Sequence, residues 1–158
     1  MHMRPAGPED ELFRYETFAA SKHKEIAAWG FGENEAKQFI RMQFYARESS
    51  YSATYPNASN MILCSGEERT GVLRIHYGEE ATTIVDIAML PDVQGKGIGT
   101  QVMLYLQGEA DTTGQPLRLH VDNNNTGALR LYERLGFKAD QVGDIYTAMT
   151  WMPSENNL

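Results

Sequence analysis

Cysteine is nearly absent from this chain: Cys64 is the only one in 158 residues. A lone thiol excludes an internal disulfide and a cysteine-rich metal site. Histidine is scarce too, and His2, His23, His76 and His120 show no paired spacing for zinc. No metal is therefore expected. Long apolar runs are missing, since none approaches the roughly 20 residues of a membrane-spanning helix. The opening residues Met1 to Gly7 contain no apolar signal core, so the expectation is a cytoplasmic protein without a membrane partner. Basic charge is also in short supply. Fourteen Lys and Arg against 21 Asp and Glu leave 14 − 21 = −7. That balance argues against a general nucleic-acid binder, whose surface must neutralise phosphates.

What is present is globular. Hydrophobic residues make up 42% and charged residues 22%, close to the averages of folded domains. The length predicts one domain over residues 1–153, with 154–158 as a loose tail. The acidic surplus lies in residues 61–158, with 7 basic against 13 acidic side chains, while residues 1–60 carry 7 against 8. Such a surplus favours a cationic small-molecule partner over an anionic one.

Hydrophobic period changes along the chain. Residues 1–60 read as helical, with Gly30 and Gly32 between two helices and an initial strand before them. The second helix, from Glu33 to Tyr51, carries the stripe Ala36, Phe39, Ile40 and Phe44. Met61–Cys64, Gly71–Tyr77 and Thr82–Leu90 read as strands with tight connections, an antiparallel meander. A helix follows with Ile98, Val102, Tyr105 and Leu106 on one face, and Gly114-Gln115-Pro116 breaks it. Leu117–Val121 is a strand, and Asn123–Thr126 offers capping side chains. Ala128, Leu131, Tyr132 and Leu135 form the stripe of another helix, ended by Gly136, and Gln141–Gly143 and Tyr146–Trp151 close as two strands. The predicted class is α/β, with a mixed, mostly antiparallel central sheet flanked by helices.

One segment carries chemistry: Gln94-Gly95-Lys96-Gly97-Ile98-Gly99-Thr100, between a strand and a helix. Glycines there let backbone N–H groups converge at the positive end of a helix dipole, which suits a pyrophosphate. A Walker A loop does not fit, because Gly97 follows Lys96 where Ser or Thr belongs. The dinucleotide fingerprint does not fit either, because the three glycines are evenly spaced.

Gln94, Gly97 and Gly99 instead match the pattern Gln/Arg-x-x-Gly-x-Gly/Ala. Asn125, Ala128 and Tyr132, followed by Gly136-Phe137, match Asn-x-x-Ala-x-x-x-Tyr and Gly-Phe. In this order, with a helix and strand between, the chain resembles the GNAT-type N-acetyltransferase superfamily, over about residues 70–151. The resemblance implies acetyl-CoA as co-substrate. Gln94, Gly95, Lys96, Gly97, Ile98, Gly99 and Thr100 would hold its pyrophosphate. Ile87, Ala88 and Met89 would pair with the pantetheine arm, and the N–H of Ala88 or Met89 would face the thioester oxygen. Asn125 would contact the pantetheine or acceptor. Tyr132 would protonate the departing thiolate, whose basicity is close to that of a phenol.

The candidates for the base that accepts the amine proton are Asp86, His120 and, as a third choice, His76 on the middle meander strand, beside a base supplied by the substrate or water. Asp86 lies on the strand before the glycine loop, but alternation puts it opposite Thr83 and Val85, the face where relatives carry their base. It therefore also reads as a hydrogen-bonded structural residue. His120, on the strand before the Asn125–Tyr132 block, carries an imidazole, a side-chain type suited to accepting a proton. The acceptor region of the family corresponds here to Trp29, Phe31, Met42, Phe44, Tyr45, Tyr51 and Tyr55. The implied function is transfer of acetyl to a primary amine by direct attack in a ternary complex. The alternative is a non-catalytic acyl-CoA-binding sensor on the same fold. Homodimers are common among relatives, and that state is carried as an expectation.

Overall fold

In a computed structural model, residues 1–154 are described. Its strands are β1 (His2–Pro5), β2 (Ser59–Ser65), β3 (Glu68–Tyr77), β4 (Thr82–Met89), β5 (Leu117–Asp122), β6 (Lys138–Val142) and β7 (Tyr146–Trp151). The helices are α1 (Glu11–Ala27), α2 (Glu33–Thr54), α3 (Ile98–Thr113) and α4 (Thr126–Arg134). The strands form one mixed sheet in the order β1-β2-β3-β4-β5-β7-β6. β1 and β2 are antiparallel, β4 and β5 parallel, and β7 runs antiparallel to both β5 and β6. Contacts along the chain group into two units: Met1–Arg74 with Asp86–Lys96, and Ile75–Val85 with the chain from Gly97 onward.

In the first unit the predicted stripe of α2 is buried. Ile40 and Phe44 pack with Phe18 and Ile26 of α1, and Ala36 and Phe39 lie against them. Phe13, Ile62 and Cys64 make a second cluster with Val72 and Leu90 over it, so Cys64 is a core thiol. The entry to α1 is set by Asp10, whose side chain is fully buried. Its carboxylate accepts from Arg4 at 2.7 and 2.8 Å, from the Gly7 N–H at 2.8 Å and from Arg69 at 3.2 Å. A buried charge is tolerable because it is paired and hydrogen-bonded on every side.

In the second unit Val102, Met103, Leu106 and Ala110 of α3 are buried, as are Leu117, Leu119 and Val121 of β5. Tyr105, expected on the buried face, is 52% exposed. At about 100° per residue the buried face centres between Leu106 and Ala110, and Tyr105 falls roughly 130° away. Gln107 takes a place on that face because its amide donates to the Leu135 carbonyl at 2.8 Å. Gln115 ties the β3–β4 turn to the start of β5 by donating to the carbonyls of Gly78 and Glu79. The last hairpin begins earlier than predicted, at Lys138. β6 is exposed throughout, so no apolar alternation marks its start, and pairing with Thr150 of β7 defines it. Of the expected tail, residues 155–158 lie outside the described residues.

Candidate active site

The glycine loop has the local geometry its sequence implies. Gly95 and Gly97 have φ of +79° and +82°, values that side-chain-bearing residues rarely adopt. A Cβ built on either would meet nothing within 4 Å, so the space above the loop is open. Gly97 caps α3, and the first bond within the helix runs from the Gln101 N–H to the Gly97 carbonyl at 3.0 Å. The N–H groups of Ile98, Gly99 and Thr100 therefore have no carbonyl of their own helix to bond, and they carry the positive dipole end. No acidic residue occupies that first turn. Gln94 reaches back, its amide donating to the Met89 carbonyl at 3.2 Å, and Lys96 is exposed.

The C-terminal half of β4 lies close to β3. Leu90 donates its N–H to the Thr70 carbonyl at 2.9 Å. A Cβ on Gly71 would stand 2.5 Å from the Ala88 carbonyl oxygen and 2.8 Å from the Met89 sulfur, so only glycine fits there. Ile87, Ala88 and Met89 are all half-buried.

Beside this strand lies a small cavity partly open to solvent, whose lining includes Arg14 and Phe18 of α1, Arg47 and Glu48 of α2, and Asp86 and Ala88 of β4. Arg47 Nη2 is 2.5 Å from Asp86 Oδ1. The Arg47 guanidinium lies 5.0 Å from the Phe18 ring centre and 5.1 Å from that of Tyr51. Glu48 accepts from Arg14 at 2.5 Å through Oε1 and from Arg74 through Oε2, and Arg74 donates to Asn60 at 2.7 Å. Burial pushes the Asp86 carboxyl above the usual carboxylate range, and the Arg47 charge only partly opposes this. Burial acts on Glu48 in the same sense, but the hydrogen bond and charge of Arg14, with Arg74, outweigh it and hold that carboxyl low. For Arg47, desolvation is outweighed by Asp86 and Tyr51, so its guanidinium stays charged.

In the second unit, Asn125 caps α4, its Oδ1 accepting from the Ala128 N–H at 3.2 Å. Tyr132 is buried, with its ring centre 5.7 Å from that of Phe137. His120 is exposed on β5, opposite Ala148 of β7.

The predicted residues thus fall into local groups: Asp86 with Ala88 at one cavity, Gln94 to Thr100 around the start of α3, and Asn125 with Tyr132 on α4. Among the acceptor aromatics, Phe44 lines the cavity, and the Tyr51 ring lies under Arg47 and Arg74. Trp29, Phe31, Met42 and Tyr45 are exposed. The sequence reading missed Arg14, Arg47, Glu48 and Arg74. No local spacing marks them, because the partners of Arg47 and Arg74 come from distant segments.

Known proteins supply an independent comparison. The mycothiol acetyltransferase of Streptomyces griseus is 35% identical over 77 residues, covering 46% of this chain and 24% of its own length. That of Mycobacterium sp. strain JLS is 25% identical over 148 residues, covering 90% of this chain and 46% of its own. The ribosomal protein bS18-alanine N-acetyltransferase of Salmonella typhimurium is 39% identical over 59 residues, 37% of this chain and 40% of its own. The chain spans less than half the length of these relatives. In fold it is similar to the PaiA N-acetyltransferase of Thermoplasma acidophilum, solved in complex with coenzyme A. The TM-score is 0.70 at 17% identity, over 96% of this chain and 98% of that one. The ribosomal-protein-S18-alanine N-acetyltransferase of Escherichia coli gives a TM-score of 0.64 at 20% identity, over 98% and 97%. Residues 13–137 match the family model described as "Acetyltransferase (GNAT) family". That match contains the glycine loop, the Asn125–Tyr132 block and Gly136-Phe137, the three places where the sequence resemblance rested, and it makes this chain a member of the GNAT acetyltransferase family.

Proposed function

We propose that this chain is an N-acetyltransferase that moves the acetyl group of acetyl-CoA directly onto a primary amine. The loop from Gln94 to Thr100 carries the reading: two left-handed glycines and a helix start with no side-chain cap provide backbone donors for a pyrophosphate at an open surface. Ala88 or Met89 offers an N–H to the thioester oxygen and stabilises the negative charge that develops there on attack. Asp86 takes the proton lost by the attacking amine, directly or through one water. Its place in the same cavity as Ala88, and its raised pKa, favour it over His120 for this task. Tyr132 delivers a proton to the sulfur as the C–S bond breaks, leaving free CoA and an amide.

The acceptor is not carried over from the relatives. Their names point to mycothiol and to an alanine of a ribosomal protein, at identities that reach 39% only over a short part of this chain. The deciding experiment offers acetyl-CoA with a panel of amines, reading thiol release and the mass of the acylated product. A catalyst releases CoA in step with product. A sensor on the same fold binds acetyl-CoA and releases no thiol above background.

A further inference from the structure

The polar edges around the cavity of the first unit are unevenly committed. Glu48 has both oxygens occupied, one by Arg14 and one by Arg74. Asp86 has only Oδ1 engaged, by Arg47, and among the described residues its Oδ2 accepts no hydrogen bond. Arg14 spends Nη2 on Glu48, and among the described residues its Nε and Nη1 donate to nothing. Both side chains are about one-fifth exposed, at 19% and 21%, so these edges are reachable yet sheltered from bulk water. The apolar wall comes from Phe18, Phe44 and Val72.

The charge count points the same way. Among the lining residues, Arg14 and Arg47 set two guanidiniums against the carboxylates of Glu48 and Asp86. The lining is therefore balanced in charge although the chain carries −7. A polyamine would bring a surplus of positive charge to a balanced site, where no second carboxylate is left to meet it. A molecule with one ammonium and one carboxylate matches the open carboxylate oxygen and the open guanidinium edge together.

We infer that the acceptor is a small zwitterionic amino acid, with its ammonium group set against Asp86 and its carboxylate against Arg14. This rests on the acetyltransferase reading and deepens it. The amine held by Asp86 is the one that loses its proton and attacks the thioester. The carboxylate takes no part in the chemistry and sets specificity. The preference for a cationic acceptor suggested by net charge is replaced, because recognition acts through the few groups lining the cavity and not through the sum over the surface.

The test is calorimetric titration of the full chain, in the presence of CoA, with the twenty L-amino acids, their C-terminal amides and spermidine. At least one acid is expected to bind about tenfold or more tightly than its own amide, because only the acid satisfies the arginine. Arg14→Gln should bring that ratio close to one. Arg14→Lys, which keeps the charge and a contact to Glu48 but loses the planar fork, should leave an intermediate ratio. Circular dichroism on both variants separates loss of specificity from loss of fold. Amides binding as well as acids, spermidine binding most tightly, no acid binding at all, or an unaltered ratio in a folded Arg14→Gln protein would each overturn the inference. Thiol release is read separately. Binding of an acid without release keeps the amino acid as the ligand of this cavity and removes the acetyltransferase reading, and release with amides alone does the reverse.

Discussion

Arg47 of α2 and Asp86 of β4 form an ion pair of 2.5 Å at the wall of the cavity that also holds Ala88. The pair leaves one oxygen of Asp86 available and fixes the carboxylate against a guanidinium that is itself packed on Phe18 and Tyr51. A base held this way keeps its orientation without losing its capacity to take a proton.

Asp86→Asn is expected to lower kcat by about 100-fold, the usual contribution of a positioned base. Acetyl-CoA affinity should change little. In the parent protein, activity falls as pH drops through the Asp86 pKa, which lies above the usual carboxylate range. The variant should lose that acidic limb. A pH–rate profile of both proteins checks this, and an unchanged limb in the variant removes Asp86 from the role.

Tyr132→Phe keeps the ring that packs near Phe137 and deletes the hydroxyl. Turnover should fall by about 100-fold with acetyl-CoA binding nearly intact. Steady-state rates combined with calorimetry on the same preparation decide it. Unchanged turnover would return Tyr132 to a purely core role.

Gly97→Val should weaken acetyl-CoA binding by at least about tenfold, since backbone strain of about 1–2 kcal/mol reshapes the loop and a branched side chain covers its donors. Gly114→Ala is the matched control: Gly114 has φ of +76° at the other end of α3 and open space around it, so it bears the strain away from the loop. The control should lose stability and keep its affinity. Equal loss of affinity in both would mean that strain alone, not the cradle, explains the effect.

Asp10 supplies a pH test of stability. The hydrogen bond from Arg4, with those from Gly7 and Arg69, outweighs burial and holds its carboxyl well below the ordinary value. A lowered folded pKa means that the unfolded chain takes up the proton first as pH falls. The stabilisation is therefore complete above the ordinary carboxylate range and is lost progressively below it. Thermal unfolding between pH 7 and pH 3 should show a falling Tm, and Asp10→Asn should flatten that slope while lowering Tm at neutral pH.

Much of the fold was legible because it is written in local periods. The stripe Ala36, Phe39, Ile40 and Phe44 repeats at helical spacing and is the face that packs on α1. The glycine loop was legible for a related reason, since Gly95 and Gly97 occupy left-handed conformations that the residue type itself announces. Tyr105 was misplaced because an apolar residue three positions from Val102 fits the period, and only the centre of the buried face tells which edge of the stripe is exposed. β6 could not be bounded, because an exposed strand has no alternation to display.

The order of elements, the donor-rich loop before α3 and the Asn125–Tyr132 block are properties of consecutive residues, so backbone preference and side-chain spacing were enough to reveal them. The charge at the cavity is a different kind of property. It depends on Arg14 from α1, Arg47 and Glu48 from α2, and Asp86 from β4 meeting beside Ala88. No window of sequence contains those partners, and the formal charge of −7 does not reveal a local balance. Packing of α1 and α2 beside β4 turns scattered ionisable residues into one charge-balanced recess, because electrostatic fields and desolvation act over distance in space and not along the chain.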